Sequence, residues 1–350
     1  MKIFVFIIGY IIILCTIIPS IRSDNWIFRI FEYPRFQKLV ITCIIIIAFL
    51  PLREAGAIHD LIFIGLLGVN LLYLAYRIFP YTPMAKKQML HSTCADGENE
   101  FSMLICNVFQ ENRNASALLH QVVDCNPDLV LLVEVDAYWN KALEVLHEHY
   151  PYRILHPLGN TYGICLYSRL ELVDPKVKFL IKNDIPSIFT TVKLRSGELI
   201  KLYGLHPEPP VPNENPRSTE RDAEILTVAK EVQQTEGSTI VAGDLNDVAW
   251  SYTTELFLKV SGLLDPRRGR GFFNTFHVKY PMLQWPLDHV FCSPHFHLLD
   301  LKRLPDVGSD HYPIFISVKW AKVAKKEQAS NKIPATKEDE EMASEKVQKV

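Results

Sequence analysis

Residues 239–247 read T-I-V-A-G-D-L-N-D, so an apolar run of strand length is followed at once by the carboxylate of Asp244 and the amide of Asn246. Residues 309–313 read S-D-H-Y-P and stand at the start of a second apolar run, 313–318. In open α/β sheets, ligand sites gather at strand ends, where a rigid scaffold holds a side chain over a cleft. These two stretches therefore predict an α/β domain with a polar site at the ends of its strands.

Further apolar runs of strand length precede and separate these stretches. They lie at 103–109, 129–133, 164–167, 199–205 and 289–292. Apolar residues at helical spacing occur between some of the runs, at 115–123 and at 223–232. Strands that alternate with helices early in the domain, and then pair with each other, predict layered sheets covered by helices.

Four more polar residues occupy strand-end positions: Asn107, Glu134, His206 and Asp288. A hard cation such as Mg²⁺ takes oxygen ligands and keeps several waters, so two carboxylates, here Glu134 and Asp310, would be enough to hold one. Histidine and asparagine donate to phosphate oxygens, and an aspartate beside a water can orient it. Each residue alone has an ordinary explanation as a turn former or cap, but such residues at so many strand ends indicate a site that could hold a metal or a phosphate.

Taken together, these residues resemble the motifs of the endonuclease/exonuclease/phosphatase superfamily, the deoxyribonuclease I-like proteins. The resemblance runs roughly from residue 102 to residue 318 in the family's order, and its G-D-x-N and S-D-H-x-P motifs are the most specific. It implies a four-layer α/β sandwich, in which two packed β-sheets are flanked by helices. It also implies hydrolysis of a phosphate ester with Mg²⁺ or Mn²⁺, in a chain similar to membrane-anchored members of bacterial type.

The resemblance also implies a metal site and a base. Glu134 matches the principal metal ligand, with Asn107 beside it and Asp310 as a second acidic contact. Asp244 matches the residue that orients or deprotonates the attacking water. Positioning and charge neutralisation of this kind carry most of the effect in phosphoryl transfer.

Other residues are implied to contact the substrate. Asn246 and His206, with Asn107 nearby, would hold phosphate oxygens, and His311 would stabilise the developing charge or the leaving oxygen. Asp288 would orient one of the histidines. Arg169 follows the run Y-G-I-C-L-Y-S and could reach the substrate, although a surface ion pair is an equal alternative.

The N-terminal eighty residues have a different character. Three apolar runs, 3–19, 39–52 and 61–76, approach the length needed to cross a bilayer as helices. They predict a multi-pass membrane region over residues 1–80, with a cleaved signal peptide as the alternative for the first run. Flanking Lys and Arg residues, seven against two, favour a cytosolic catalytic domain, whereas a first run acting as a start-transfer signal would place that domain outside the cytoplasm.

The remaining chain divides into three parts by composition. We predict a linker over residues 81–100, the catalytic domain over 101–320, and a disordered charged tail over 321–350. Seven cysteines without a C-x-x-C pair indicate neither a disulfide framework nor a zinc site.

Charge bears on the substrate. Residues 94–320 contain 21 basic and 29 acidic residues, a balance that argues against long contacts with DNA. A domain tethered at a bilayer favours a lipid headgroup or a small phosphoester as substrate. Two alternatives stay open, a nuclease acting on DNA or RNA and an inactive membrane-tethered binding protein, while no protein partner is predicted. The absence of a G-x-S-x-G motif argues against a serine hydrolase.

Overall fold

Three long apolar helices form the N-terminal region of the chain, which is seen here in a computed structural model that describes residues 1–94 and 97–350. The helices are α1 (Lys2–Ile17), α3 (Arg35–Phe49) and α4 (Ile58–Ile78), and with their flanking turns they are long and apolar enough to cross a membrane. The short helix α2 (Trp26–Arg29) lies between the first two. Phe6, Phe49 and Phe63 pack edge to face between them. The predicted N-terminal region of three apolar helices is thus present.

The three helices run in alternating directions. Lys2 at the start of α1 pairs with Asp60 at the start of α4, at 2.8 Å, so these two ends lie together. Lys38 in the first turns of α3 donates to the Cys15 carbonyl near the end of α1, at 3.0 Å. The N-terminus and the chain that follows α4 therefore lie at opposite ends of the three-helix group.

Two β-sheets follow. The first contains β1 (Glu100–Asn107), β2 (Leu129–Val133), β3 (Tyr152–His156), β4 (Ile164–Ser168), β10 (Phe296–Arg303) and β11 (Ile314–Trp320). The second contains β5 (Glu171–Lys178), β6 (Ser187–Lys193), β7 (Leu199–Leu205), β8 (Ser238–Asp244) and β9 (Asp288–Cys292). Among the described residues the strands are ordered β10-β11-β1-β2-β4-β3 in the first sheet and β5-β6-β7-β8-β9 in the second.

Helices cover the outer faces of both sheets. The main apolar cluster lies between the sheets and includes Met103, Leu131 and Ile240. A second cluster joins the first sheet to α5 (Ala115–Cys125) and α6 (Ala137–Ala142), and a third joins the second sheet to α7 (Thr219–Gln234) and α8 (Tyr252–Ser261). The predicted four-layer α/β sandwich is confirmed.

Strand directions bring one end of both sheets to a common edge. β1 runs parallel to β2, and β7 runs parallel to β8, so their carboxyl ends point the same way. β9 and β11 are antiparallel to their neighbours β8 and β1, so their first residues lie at that same edge. The polar residues of the two motifs meet at these strand ends, which we call the site edge.

The C-terminal residues are folded, so the prediction of a disordered tail over 321–350 is wrong. Helices α9 (Lys322–Gln328) and α10 (Lys337–Gln348) are present, and Thr336 and Asp339 form a capping box at the start of α10. Met342, Ala343 and Val347 pack against the apolar cluster of α7 and α8. The highly charged composition hid this narrow apolar face, which is spaced for one side of a helix.

The segment between the apolar helices and β1 packs on the catalytic domain. Gln88 and Met89 are buried, and the Gln88 side-chain oxygen accepts from the Asp265 amide at 2.9 Å. Residues 95 and 96 of the predicted linker 81–100 lie outside the described residues. The part of this segment before residue 95 is therefore attached to the domain by specific contacts.

Candidate active site

Seven of the predicted site residues meet at the site edge, where the strand ends of the two sheets lie together. Asn107 ends β1, Glu134 follows β2, and His206 follows β7, while Asp244 ends β8 opposite Asp288 at the start of β9. Asn246 and His311 complete the group from the loops after β8 and before β11. The two sheets thus contribute side chains to one polar site.

Local backbone geometry explains some residue types at this edge. Gly243 has φ +139°, and a Cβ there would lie 2.0 Å from the Leu205 carbonyl oxygen, so glycine allows β7 and β8 to approach. Glu134 and Asn246 adopt left-handed φ values of 62° and 51°. Backbone strain of this kind is concentrated at functional sites, where the surrounding structure holds it in place.

Glu134 is a partly buried carboxylate with donors on both oxygens. Its Oε1 accepts from the Asn107 side chain at 2.8 Å, and its Oε2 accepts from the Gln110 backbone amide at 3.0 Å. Burial raises the pKa of Glu134 to about 7, because these donors only partly offset desolvation and the negative charge of Asp310 adds to it. A cation beside Glu134 would stabilise its ionised form.

Asn107 connects the two carboxylates instead of offering them an oxygen. Its Nδ2 donates to Glu134 and, at 3.1 Å, to Asp244 Oδ2. Its Oδ1 already accepts from the Phe109 backbone amide at 2.9 Å, and this contact fixes the orientation of the side-chain amide. In this orientation the amide is a spacer between Glu134 and Asp244, and the role of Asn107 as a metal ligand stays a prediction.

Asp244 lies at the centre of the site. Its Oδ1 accepts from the Asn246 amide at 2.9 Å, and its Oδ2 lies 3.6 Å from His311 Nε2 and 4.0 Å from His206 Nε2. Burial raises the pKa of the Asp244 carboxyl, against the effect of the histidines. A carboxylate with a raised pKa accepts a proton more readily, as a general base requires.

His311 is held by a second carboxylate. Its Nδ1 lies 2.7 Å from Asp288 Oδ2, so Asp288 orients the imidazole toward Asp244. Burial alone lowers the pKa of His311, but Asp288 and Asp244 raise it more, to about 10. At neutral pH this side chain is therefore an imidazolium between two carboxylates.

His206 has the opposite protonation. Burial lowers its pKa to about 4, so the ring is neutral at pH 7. Its Nδ1 is buried and has no hydrogen-bond partner among the described residues, and the Tyr162 ring lies beside it with ring centroids 5.5 Å apart. A neutral imidazole with a free nitrogen can still donate to or accept from a bound group.

Two places at the edge could attract a divalent cation, and they differ in charge. Ligand atoms of Asp244, Asp288 and His311 lie within 4.8 Å of one another, but protonated His311 already supplies the positive charge there. At Glu134 the negative charge of Asp310 raises the pKa further, and the opposing effect of the His311 charge is weaker. The oxygen donors around Glu134 therefore fit a hard divalent ion better.

Arg169 does not reach this site. It follows β4, which is antiparallel to β2, so Ser168 pairs with Leu129 at the opposite edge of the sheet. There the Arg169 guanidinium stacks on the Tyr150 ring at 4.8 Å and contacts the Asn126 carbonyl at 3.4 Å. The predicted contact of Arg169 with substrate is wrong, because strand direction carries it away from the site.

Sequence reasoning missed the residues that hold the loop after β8. The Asn246 carbonyl accepts from Tyr33 Oη at 3.0 Å and from Arg221 at 2.7 Å, and Arg221 also pairs with buried Asp247 at 3.4 Å. Tyr33 lies just before α3, in the segment that joins two of the apolar helices. Arg29 in the same segment is buried against Asp222, at 2.6 Å. These contacts join residues that are far apart in the chain, so no local sequence pattern indicates them.

Solved structures with the same architecture are numerous. Humanized D. rerio TDP2 with 14 mutations is 16% identical, with a TM-score of 0.51, and the match covers 63% of this chain and 99% of that one. The human Nocturnin catalytic domain with bound sulfate is 16% identical, with a TM-score of 0.52 and coverage of 65% and 97%. D. rerio TDP2 complexed with a single strand DNA product is 17% identical, with a TM-score of 0.51 and coverage of 63% and 99%. At these identities the likeness shows the fold.

Family assignment rests on the sequence itself. No curated protein sequence matches the chain. The model of the Endonuclease/Exonuclease/phosphatase family matches residues 104–311, which is more than half of the 350 residues and contains the whole site edge. The chain therefore belongs to the endonuclease/exonuclease/phosphatase family of phosphoric ester hydrolases.

Proposed function

We propose that the chain is a membrane-anchored phosphoesterase that uses Mg²⁺ or Mn²⁺ and attacks its substrate with water. The observation that carries this proposal is the arrangement of Asp244 between two oppositely charged neighbours. The His311 Nε2 lies 3.6 Å from Asp244 Oδ2, and Asn107 donates to this same oxygen and to Glu134, so that it links the two carboxylates. A base, a cationic donor and a site for a divalent ion thus occupy one edge.

In this proposal Glu134 and Asp310 hold the ion. A bound divalent ion supplies Lewis-acid polarisation of a phosphoryl oxygen and neutralises charge that develops on it. The left-handed backbone at Glu134 and the Gln110 amide keep the carboxylate directed at the cleft.

The chain's own side chains do the proton chemistry. Asp244 takes the proton from the attacking water, since its buried carboxylate has a raised pKa. Asn246 and neutral His206 hold phosphate oxygens. His311, positioned by Asp288, stabilises the charge on the leaving oxygen and can give it a proton. The opposite protonation of the two histidines fits these separate tasks.

The substrate class favoured is a phosphodiester or phosphomonoester from a lipid headgroup or a small molecule. The catalytic domain has more acidic than basic residues, which disfavours long contacts with a nucleic acid, and helices apolar enough to span a membrane would tether it beside a bilayer. A nuclease is the second candidate, because D. rerio TDP2, a structure of the same fold, is complexed with a single strand DNA product. A catalytically inactive binding protein is disfavoured by the intact site.

The test uses the full chain in lipid nanodiscs with Mg²⁺, Mn²⁺ or chelator. Substrates are plasmid DNA, RNA, sphingomyelin, phosphoinositides and bis-p-nitrophenyl phosphate. We expect metal-dependent cleavage that Asp244→Asn abolishes and that Asp124→Asn, a matched change on the exposed face of α5, leaves intact. Cleavage that survives Asp244→Asn would overturn the role of Asp244, and preferred cleavage of DNA or RNA would favour the nuclease.

Labelling of one cysteine can show on which side of the membrane the catalytic domain lies. Cys94 is exposed and lies between α4 and β1, at the end of the helical group opposite to the N-terminus. The count of basic residues favours the cytosolic side, whereas a start-transfer first span favours the extracytoplasmic side. Labelling of Cys94 by an impermeant maleimide in intact cells, with Cys94→Ser as control, would indicate the extracytoplasmic side; labelling only after lysis would indicate the cytosolic side.

A further inference from the structure

We propose that residues 277–284, here called the rim loop, form a bilayer-contact surface that presents the active site to lipid phosphoester headgroups in the adjoining leaflet. This inference rests on the proposed function and narrows its substrate class. It is carried by three features of the loop: its exposed apolar side chains, its contact with a membrane-spanning helix and its contact with the active site.

The tip of the rim loop exposes large apolar side chains. Its sequence K-Y-P-M-L at 279–283 is exposed throughout, with Tyr280, Met282 and Leu283 at 56%, 87% and 48% of their full exposure. Contiguous exposed apolar residues mark interaction sites. Tyrosine and lysine beside aliphatic residues suit the headgroup region of a bilayer, where a ring or a long stem is buried and its polar end stays wet.

The rim loop lies where the second apolar helix begins. The Gln37 side chain, in the first turn of α3, donates to the Met282 carbonyl at 3.0 Å. Close by, the rings of Phe36 and Phe272 lie 5.4 Å apart, and Phe36 is itself 44% exposed. The apolar tip is therefore continuous with the surface of a span at the level where that span would enter the bilayer. This continuity makes the bilayer the occupant of the surface.

The base of the rim loop forms a wall of the active site. The Val278 amide donates to the Asp310 carbonyl at 2.9 Å, and the neighbouring Phe276 ring lies 4.9 Å from the His311 ring. Only a few residues separate the lipid-facing tip from the imidazolium. A headgroup in the adjoining leaflet would thus reach Asp244 and His311 with little extraction, whereas one lysine, Lys279, is too little charge to guide a nucleic acid.

Contact with lipid is tested first without using activity. In a Cys94→Ser background, a fluorophore is attached to Met282→Cys, and a matched one to Val123→Cys on the exposed face of α5. In nanodiscs with nitroxide-labelled headgroups we expect strong quenching at position 282 and none at 123. Equal quenching at the two positions would overturn the proposal even if the protein showed no activity. A loss of fluorescence that depends on protein concentration and not on the nitroxide-labelled lipid would indicate that a second copy of the chain covers the surface. That result would also overturn the proposal.

Substrate delivery is tested by comparing presented and soluble esters. The full chain and Met282→Glu/Leu283→Glu are assayed with Mg²⁺ on vesicles of phosphatidylcholine, phosphatidylglycerol or phosphatidylinositol phosphate, and on bis-p-nitrophenyl phosphate and glycerophosphodiesters in solution. We expect the double variant to lose about tenfold or more in kcat/KM on vesicles, because two charges at the tip would oppose contact with the bilayer. A tenfold loss corresponds to about 1.4 kcal/mol. The rate on soluble esters should stay the same. Val123→Glu/Val145→Glu, also exposed apolar positions, should change neither rate.

The outcomes separate the two proposals. Equal losses on vesicles and soluble esters, or no loss on vesicles, would overturn delivery from the bilayer while leaving the phosphoesterase intact. Failure of the unmodified chain on every ester, together with quenching at position 282, would overturn the phosphoesterase and retain the bilayer-contact surface.

Discussion

We expect the affinity of the protein for Mg²⁺ to fall as the pH is lowered, because the carboxyl of Glu134 must lose its proton to bind the ion. Glu134 has a pKa raised to about 7, chiefly by burial. A protonated carboxyl cannot ligate a hard cation, so binding displaces the proton and affinity is greatest above the pKa. With one titrating ligand, the apparent dissociation constant scales as 1 plus 10 to the power of pKa minus pH, so Mg²⁺ should bind about tenfold more weakly at pH 6 than at pH 8. Isothermal titration of Mg²⁺ into the full chain in nanodiscs at the two pH values measures this ratio.

Two variants make that measurement specific. Glu134→Gln should weaken Mg²⁺ binding at both pH values and remove most of the ratio between them. Glu224 on α7 is a second buried carboxyl with a pKa raised to about 7, and its side chain accepts from Ser187 Oγ at 2.6 Å, whereas Glu134 accepts from Asn107 and Gln110. Glu224→Gln should therefore leave the tenfold ratio unchanged. A ratio near one in the unmodified chain, or a ratio that Glu134→Gln does not alter, would refute Glu134 as the titrating ligand.

Three further changes test other parts of the structure. His311→Ala should lower kcat by about 10²–10⁴-fold at saturating metal, as loss of a group that assists proton transfer does, and steady-state kinetics showing less than a tenfold loss would contradict its role. Gly243→Ala should destabilise the fold by more than about 1 kcal/mol, because its Cβ would lie 2.0 Å from the Leu205 carbonyl oxygen at a φ of +139°; urea denaturation measures the loss. Lys346→Met should cost about 2 kcal/mol, since Lys346 donates to buried Asp222 at 2.7 Å, and an unchanged denaturation midpoint would argue against a packed C-terminal helix.

Most central strands of the two sheets could be predicted from sequence, whereas the central strand β6 and most edge strands were missed. β2 and β4 are buried along their whole length and read as continuous apolar runs. β3, β5 and β10 each stand at the edge of a sheet. β10 reads F-H-L-L-D-L-K-R, with charges that an edge tolerates and that conceal the strand pattern.

Residue types at strand ends were enough to predict which side chains meet at the site edge, but not the residues that support them. The roles of these side chains in metal binding and proton transfer stay predictions. Glu134, Asp244 and His311 belong to motifs with a fixed chemistry, so a single sequence reveals them. The contact of Tyr33 with the loop after β8 joins residues 213 positions apart, and nothing local predicts it. Arg169 was misplaced for a related reason, because an apolar run shows that a strand exists but not which way it runs.

The pairing of β1 with β11 has a consequence for how activity arises during folding. These neighbours are separated by about two hundred residues, and Ile105 opposes Ile314 at the site edge. Contacts between distant segments form slowly, because closing a long loop costs chain entropy before the contact is made. Asp310 and His311 come into position only with β11. A partly folded chain that lacks β11 would therefore have the proposed base, Asp244, without the imidazolium of His311. We expect hydrolysis to recover during refolding only when the first sheet is complete.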